Sequence, residues 1–405
     1  MRVVLIADAF PPLRTSGAVQ LRDLSREFRN QGHEITVILP STEIEHSWLL
    51  GDMEGVRVLR LRAPKTKDVN YIRRAFGEFF MPFFMQRNLR KSPLAKEQWD
   101  GVVWYSPSIF HGPLVRTIKL ASNCKSYLII RDIFPQWAAD MELMSKRGLI
   151  YLFFNTVARY QYSVADIIGV QTPGNLDYFK DWAVRENRRL EVLQNWLFDS
   201  LTGECSISLT KTKLAGRKIF VYAGNMGVAQ GVGAFLDLAE LLQVRLDVGF
   251  LFVGRGSDAS KIAEDARLRG LNNVLFFDEI HPNEIAGLYA QCAVGLVALD
   301  PKHRSHNIPG KFLTYMQAGL PVLGRINAGN DLVDIIQKNK VGRVSVGGDQ
   351  NSLEALAREL LDLLDVDRNV KDRCRNLYLK LFSPEIAVKQ IVCALEDRGG
   401  GSNGC

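Results

Sequence analysis

The sequence predicts an α/β protein built on two parallel β-sheets, each in its own domain. Three observations carry this prediction. A complete strand–helix–strand unit fills the opening stretch, a second series of the same kind starts at Lys218, and the chain has 405 residues. That length exceeds what one hydrophobic core usually serves.

Val3–Ala7 is short, apolar and unalternating, the pattern of a strand covered on both faces. Pro11-Pro12 and the small-residue turn Thr15-Ser16-Gly17-Ala18 follow it. Val19–Gln31 then places Leu21, Leu24 and Phe28 at helical spacing, with Gly32 as the stop. Ile35–Leu39 is the second strand, and a crossover helix between two such strands makes them parallel. Further strands are expected at Val56–Leu61, Gly101–Tyr105, Ser126–Ile130, Ile167–Gln171 and Val192–Leu193, with helices between them.

The second series runs through strand Lys218–Tyr222, helix 231–242, strand Val248–Val253, helix 258–269, strand Val274–Phe277, helix 282–291 and strand Val294–Val297. Helix Lys311–Ala318, strands Pro321–Leu323 and Gly342–Val346, and a helix over 351–364 complete it. Ser383-Pro384 opens a last helix with proline in its first turn. The expected organisation is therefore a first domain over 1–198, a polar linker over 199–215, and a second domain over 216–381. A terminal helix over 382–397 and a glycine-rich, disordered tail over 398–405 follow.

Composition is that of a soluble globular chain, 47% hydrophobic and 23% charged. The net charge of +7 is uneven: residues 1–200 hold 27 Lys and Arg against 21 Asp and Glu, the remainder 24 against 23. A basic first half suggests an anionic partner, either a phosphorylated substrate or a membrane surface. No dense basic run favours nucleic acid. The six cysteines show no paired spacing, which points to free thiols in a reducing cytosol. Asp8 interrupts the N-terminal apolar run too early for a signal segment, and no run approaches the roughly 20 apolar residues that span a bilayer. A soluble or membrane-peripheral protein is expected.

Two glycine loops follow apolar strands, Gly224-Asn225-Met226-Gly227 and Gly254-Arg255-Gly256. Each is open to two readings, a tight strand-to-helix turn or a phosphate site. Their position at carboxyl ends of strands in one parallel sheet favours the second. The most informative segment is His306-Asn307-Ile308-Pro309-Gly310-Lys311, continuing to Leu323. Pro309-Gly310 opens a helix whose free amides and positive dipole end can hold a diphosphate. A lysine in the first turn opposes that dipole, so an anion beside Lys311 would account for it. The bland alternative is a plain helix–strand unit.

This segment resembles the nucleotide-sugar motif of glycosyltransferase family 4, P-S-K-x-x-E-Y-x-A-x-G-x-P-V. Other landmarks resemble that family in order: Phe10-Pro11-Pro12 with Ser16-Gly17, Gly32-His33-Glu34-Ile35-Thr36-Val37, Ala165-Asp166 with Thr172, Leu193-Gln194-Asn195, Val253-Gly254-Arg255-Gly256 and Phe382-Ser383-Pro384. The resemblance covers nearly the whole chain. It implies a GT-B fold, two facing Rossmann-like domains with a C-terminal helix crossing back to the first. It also implies sugar transfer from a nucleotide diphosphate with retention of configuration, the acceptor in the first domain and the donor in the second.

The departures are as informative. His306 and Thr314 stand at the places of two family glutamates, Asn225 and Gln230 at those of its diphosphate-binding basic pair, and Arg131-Asp132 at that of its His-Asp pair. Arg255, Lys302, Arg304 and Lys311 are the candidate replacement cations. The implied donor set is Ser16, Gly17, Gly224, Asn225, Gln230, Arg255, Glu279, His306, Asn307, Gly310 and Thr314, with Arg131, Asp132 and Lys311 in catalytic places. Arg131–Pro135 together with His306–Leu313 is similar to the N-acetyl-L-fucosamine transferases of bacterial O-antigen and capsule assembly. Their donor would be a UDP-linked 6-deoxy-L-amino sugar, bound without metal or other cofactor.

Residues 71–91 interleave Phe79, Phe80, Phe83 and Phe84 with Arg73 and Arg74, which suits a segment gripping anionic lipid and a polyprenyl-diphosphate-linked acceptor. The alternative is a core helix broken by Pro82. A protein held at the inner face of the cytoplasmic membrane follows from the first reading. Three competing functions share parts of this pattern: a nucleotide-sugar 2-epimerase, a non-catalytic sugar-nucleotide or lipid-binding subunit, and an NAD dehydrogenase. Asp365-Val366-Asp367 lies at a helix end away from the donor landmarks and is read as exposed charge rather than metal ligation.

Overall fold

The computed structural model describes residues 1–397 other than 14, 67–68, 199–202, 228–230, 300–307 and 348–349. Gln230, His306, Asn307, Lys302, Arg304 and the tail 398–405 lie outside the described residues. The chain divides into two compact units, Met1–Trp196 with Pro384–Cys405, and Leu197–Ser383.

Unit 1 is an eight-stranded sheet of β1 (Arg2–Ile6), β2 (Glu34–Ser41), β3 (Trp48–Met53), β4 (Val56–Arg62), β5 (Gly101–Tyr105), β6 (Lys125–Ile130), β7 (Ile167–Val170) and β8 (Arg189–Val192). The order is β3-β4-β2-β1-β5-β6-β7-β8. All neighbours pair in parallel except β3 with β4. Runs such as Val3–Ile6 and Gly101–Tyr105 are buried throughout because helices cover both faces of the sheet. One face packs Met81, Met85, Leu114, Tyr162 and Phe179, and the other Leu21, Leu24, Phe28 and Trp196. The second face also holds Val388, Ile391 and Leu395 of helix Pro384–Glu396, the C-terminal helix that returns to the first domain. Trp99 and Trp104 are core residues, 4% and 0% exposed.

The antiparallel edge was not expected. Met53 pairs with Val56 across the two-residue loop Glu54-Gly55, whose φ values of 55° and 79° are those of a type I′ turn. Such turns are dominated by Asn-Gly and Asp-Gly, so Glu-Gly carries a weaker signal.

Unit 2 is a six-stranded parallel sheet: β9 (Lys218–Ala223), β10 (Val248–Val253), β11 (Val274–Phe277), β12 (Val294–Ala298), β13 (Val322–Ile326) and β14 (Gly342–Val346). The order is β11-β10-β9-β12-β13-β14. Helix Gly310–Gln317 is anchored beneath it by buried Phe312, Leu313, Tyr315 and Met316. The Tyr315 hydroxyl donates to the carbonyls of Val221 and Leu296 at 3.1 and 3.3 Å. Gly319, with φ of 70°, ends the helix, and the Leu320 amide turns back to Tyr315 O at 2.8 Å. The stretch expected as linker behaves otherwise in its described part. Ile207, Leu209 and Leu214 are buried in unit 2, because these apolar residues find a place under the sheet despite their polar neighbours. Helices Asp331–Asn339 and Val370–Leu381 add to the expected set.

Candidate functional site

In unit 2 the loops after β9 and β10 are stitched together by main chain. Gly224 N donates to Val253 O at 2.8 Å, Gly254 N to Phe277 O at 3.0 Å, and Met226 N to Arg255 O at 2.8 Å. Gly224 and Gly254 sit at φ of 132° and 140°, which favours glycine. A Cβ at Gly254 would collide with the Gly224 carbonyl, and one at Gly256 with that of Met226. The Gly224 and Gly254 amides are thus engaged within the sheet. What Gly224 supplies is room.

Lys311 fills that room. A Cβ on Gly224 would stand 3.0 Å from Lys311 Cε and 3.1 Å from Nζ. The ammonium lies 4.6 Å from the ring centroid of Tyr222, whose hydroxyl is tied to Asn225 O at 2.7 Å. No carboxylate among the described residues pairs with Lys311, and burial pulls its pKa down to about 8. Its helix starts at Pro309 with no side-chain cap and no acidic residue in the first turn. The amides of Gly310 and Lys311 have no acceptor among the described residues, and Gly310 is exposed.

Other expected donor residues are placed differently. Arg255 is 81% exposed and pairs with Glu279 at 2.9 Å, forming a surface ion pair rather than joining Lys311. The Thr314 hydroxyl donates back to Lys311 O at 2.8 Å, so it is engaged within its own helix. Asn225 is exposed. Tyr222 was missed, because a strand tyrosine in an apolar run reads as core. Asp365 pairs with Lys218 and Asp367 with Arg373, each at 2.6 Å. Among the described residues no group of three or more His, Cys, Asp or Glu could hold a metal ion.

In unit 1, Ser16 and Gly17 open helix Ser16–Asn30, capped by the Thr15 hydroxyl, which accepts from Ala18 N at 3.3 Å. Ser16 is exposed, and Gly17 lies against the Tyr105 ring. Arg131 lies in the interior of unit 1. It is 6% exposed, donates through Nη1 to Leu193 O at 2.9 Å and through Nη2 to Gln194 O at 3.3 Å, and stacks 4.5 Å from the Trp196 ring. Main-chain carbonyls fit a buried guanidinium without a carboxylate, so Arg131 ties β6 to the segment after β8. Asp132 is exposed, and no ion pair joins it to Arg131.

Helix Tyr71–Leu89 continues through Pro82, with Met81 and Met85 inward and Phe76, Phe79, Phe80, Phe83 and Phe84 exposed. Phe79 meets Phe153 at 5.8 Å, joining this face to exposed Leu149, Ile150 and Leu152 of helix Leu149–Val164. Arg73 is exposed and Arg74 is paired with Glu78 at 2.8 Å. No described helix is long and apolar enough to cross a membrane.

A structural rather than chemical Arg131 has a measurable consequence. Arg131→Ala, which orphans the buried Leu193 carbonyl and the half-buried Gln194 carbonyl, should lower the unfolding free energy in urea by about 3 kcal/mol. A loss below about 0.5 kcal/mol, within the range of an ordinary surface substitution, contradicts this role.

Residues 217–366 match the family model described as Glycosyl transferases group 1. The chain is 22% identical over 250 residues to the glycosyltransferase-named WbjE of Pseudomonas aeruginosa, spanning 61% of this chain and 62% of WbjE. It is also 22% identical over 306 residues to WcaI of Escherichia coli strain K12, named as a colanic acid biosynthesis glycosyl transferase, spanning 68% and 71%. Among solved structures, WaaG, a glycosyltransferase involved in lipopolysaccharide biosynthesis, aligns with a TM-score of 0.62 at 15% identity over 98% of this chain and 100% of its own. Anabaena HepE in complex with UDP and glucose aligns at 0.63 and 14% over 97% and 98%. The two parallel-sheet units are those of the GT-B fold.

Proposed function

We propose that this chain is a glycosyltransferase that moves a sugar from a nucleotide diphosphate to a saccharide acceptor. One observation carries the proposal. Lys311 is a half-buried ammonium that no carboxylate among the described residues pairs, set at an uncapped helix start inside the segment that matches the Glycosyl transferases group 1 model. Burying an unpaired cation costs stability, and a bound diphosphate would offset that cost. Breaking the anomeric bond leaves negative charge on the nucleotide diphosphate. Lys311 Nζ and the open amides of Gly310 and Lys311 are the groups that would stabilise it without a metal ion. The transfer would retain configuration, as the family resemblance implies.

The donor we infer is UDP-linked, an N-acetyl-6-deoxy-L-amino sugar such as N-acetyl-L-fucosamine. The resemblance of Arg131–Pro135 and His306–Leu313 supports the sugar, and the likeness to HepE, solved with UDP and glucose, is in keeping with the nucleotide. The acceptor we infer is a polyprenyl-diphosphate-linked saccharide in surface-polysaccharide assembly at the inner face of the cytoplasmic membrane. Supporting this is the exposed apolar face of Phe79, Phe80, Phe83 and Phe84 beside Arg73, continued by Leu149, Ile150 and Phe153. Contiguous exposed aromatics edged by cations suit an interfacial surface.

Purified protein given UDP-, GDP- and dTDP-sugars with an undecaprenyl-diphosphate-linked monosaccharide should transfer from a UDP-sugar, and Lys311→Ala should abolish transfer. Transfer from GDP-sugars alone rejects the UDP assignment, and full activity of Lys311→Ala rejects the diphosphate site. For the membrane face, vesicles containing phosphatidylglycerol should sediment wild-type protein. Replacing Phe80 and Phe83 with Ser should weaken that binding at least about tenfold, each exposed phenylalanine being worth about 1–2 kcal/mol on transfer. Equal sedimentation of both proteins contradicts it.

A further inference from the structure

In the unit 1 sheet the chain leaves β1 toward β2 on one side, and β5 with its successors fills the other. β1 and β5 therefore flank the point where the strand order reverses. Loops at the carboxyl ends of such strands part company, which leaves a crevice where open parallel sheets hold ligands. Asp8 stands two residues past β1. His111 closes the loop after β5, directly before helix Gly112–Ser122.

These two residues meet. His111 Nε2 lies 2.8 Å from Asp8 Oδ1, the imidazole fully buried and the carboxylate side chain 41% exposed. That approach is a charge contact: neither His111 Nδ1 nor Nε2 makes a hydrogen bond among the described residues. A histidine buried only for packing ordinarily has its polar nitrogens satisfied by the core around it. This one faces a carboxylate that solvent reaches.

The ring is also held still. Gln161 Nε2 donates to Ser108 O at 2.8 Å, pinning the loop to helix Leu149–Val164. A Cβ on Gly112 would stand 3.1 Å from Gln161 Cα and from the Tyr160 ring, so that helix packs directly against the residue after His111. At the other end of the loop the Ser106 hydroxyl accepts from Arg131 N at 2.9 Å.

We propose that Asp8 and His111 form a saccharide-hydroxyl site in unit 1. The Asp8 carboxylate, an acceptor only when ionised, takes a hydrogen bond from an acceptor hydroxyl. His111 never touches the sugar. It is a positioning residue, its buried ring setting where the carboxylate stands at the switch point through the Nε2–Oδ1 contact. The assignment rests on the transferase reading above, with the acceptor as the ligand concerned.

The test uses the full chain, a UDP-sugar donor that supports transfer, and an undecaprenyl-diphosphate-linked monosaccharide as acceptor. Asp8→Asn should raise the acceptor KM about tenfold or more while leaving UDP affinity, measured by calorimetry, within about twofold. His111→Phe should raise the acceptor KM likewise, and His111→Gln, which keeps a donor toward Asp8, should restore part of the loss. A general structural defect would move UDP affinity and melting temperature together with KM, and that result overturns the assignment. An unchanged acceptor KM in Asp8→Asn overturns it too, while the transferase reading stands. A wild-type chain that consumes no donor with any acceptor overturns the transferase reading and this site with it.

Discussion

A lysine ammonium held between an aromatic ring and a glycine backbone, with no carboxylate among the described residues to answer it, is the constraint around which unit 2 is arranged. Lys311 reaches that position because Gly224 has no side chain and because Tyr222, next to last in β9, sets its ring beneath Nζ. Gly224 in turn is fixed by the main-chain bonds that join the loops after β9 and β10. The helix bearing Lys311 is held from below by Tyr315, which packs where Gly295 leaves space: a Cβ there would stand 2.6 Å from the Tyr315 ring. Close packing and main-chain bonds fix each part, the arrangement that preorganises a charge.

Two buried cations show how the same cost is met in different ways. Arg131 has two carbonyl acceptors and an indole ring against its guanidinium, all supplied by its own unit. Lys311 has the ring but, among the described residues, no acceptor. The first is a tie within unit 1, and the second is the cation that the proposed diphosphate would answer. Burial alone therefore does not mark a functional cation; what it lacks does.

Much of the fold was legible in the sequence because buried parallel strands leave apolar runs that stand out. Gly101–Tyr105, Val248–Val253, Val274–Phe277 and Gly342–Val346 fall where their residues place them. The β3–β4 hairpin was not, since an edge strand with alternating exposure and a Glu-Gly turn leaves a faint trace. In the site, Gly224, Gly310 and Lys311 were legible as a glycine loop and a helix start. Tyr222 was not, because its use depends on which helix lies over β9. The setting of Arg131 was not legible for a related reason: carbonyls some 60 residues downstream, at Leu193 and Gln194, hold it, and motif position says nothing of that. His111 precedes a Gly-Pro helix start and pairs with a residue from β1, a contact that only the sheet order creates.

Binding of UDP between pH 7 and 8.5 probes the lysine most directly, with Lys311→Met as the control. A lysine with its pKa near 8 in the free protein is charged at pH 7 and loses its proton as pH rises. A bound diphosphate favours the charged form, so UDP binding should take up protons near pH 8, and affinity should fall across the range. Lys311→Met should bind more weakly at pH 7, with neither proton uptake nor that slope. Wild-type affinity that is flat with pH and equal to that of Lys311→Met would show that the diphosphate does not sit on this lysine.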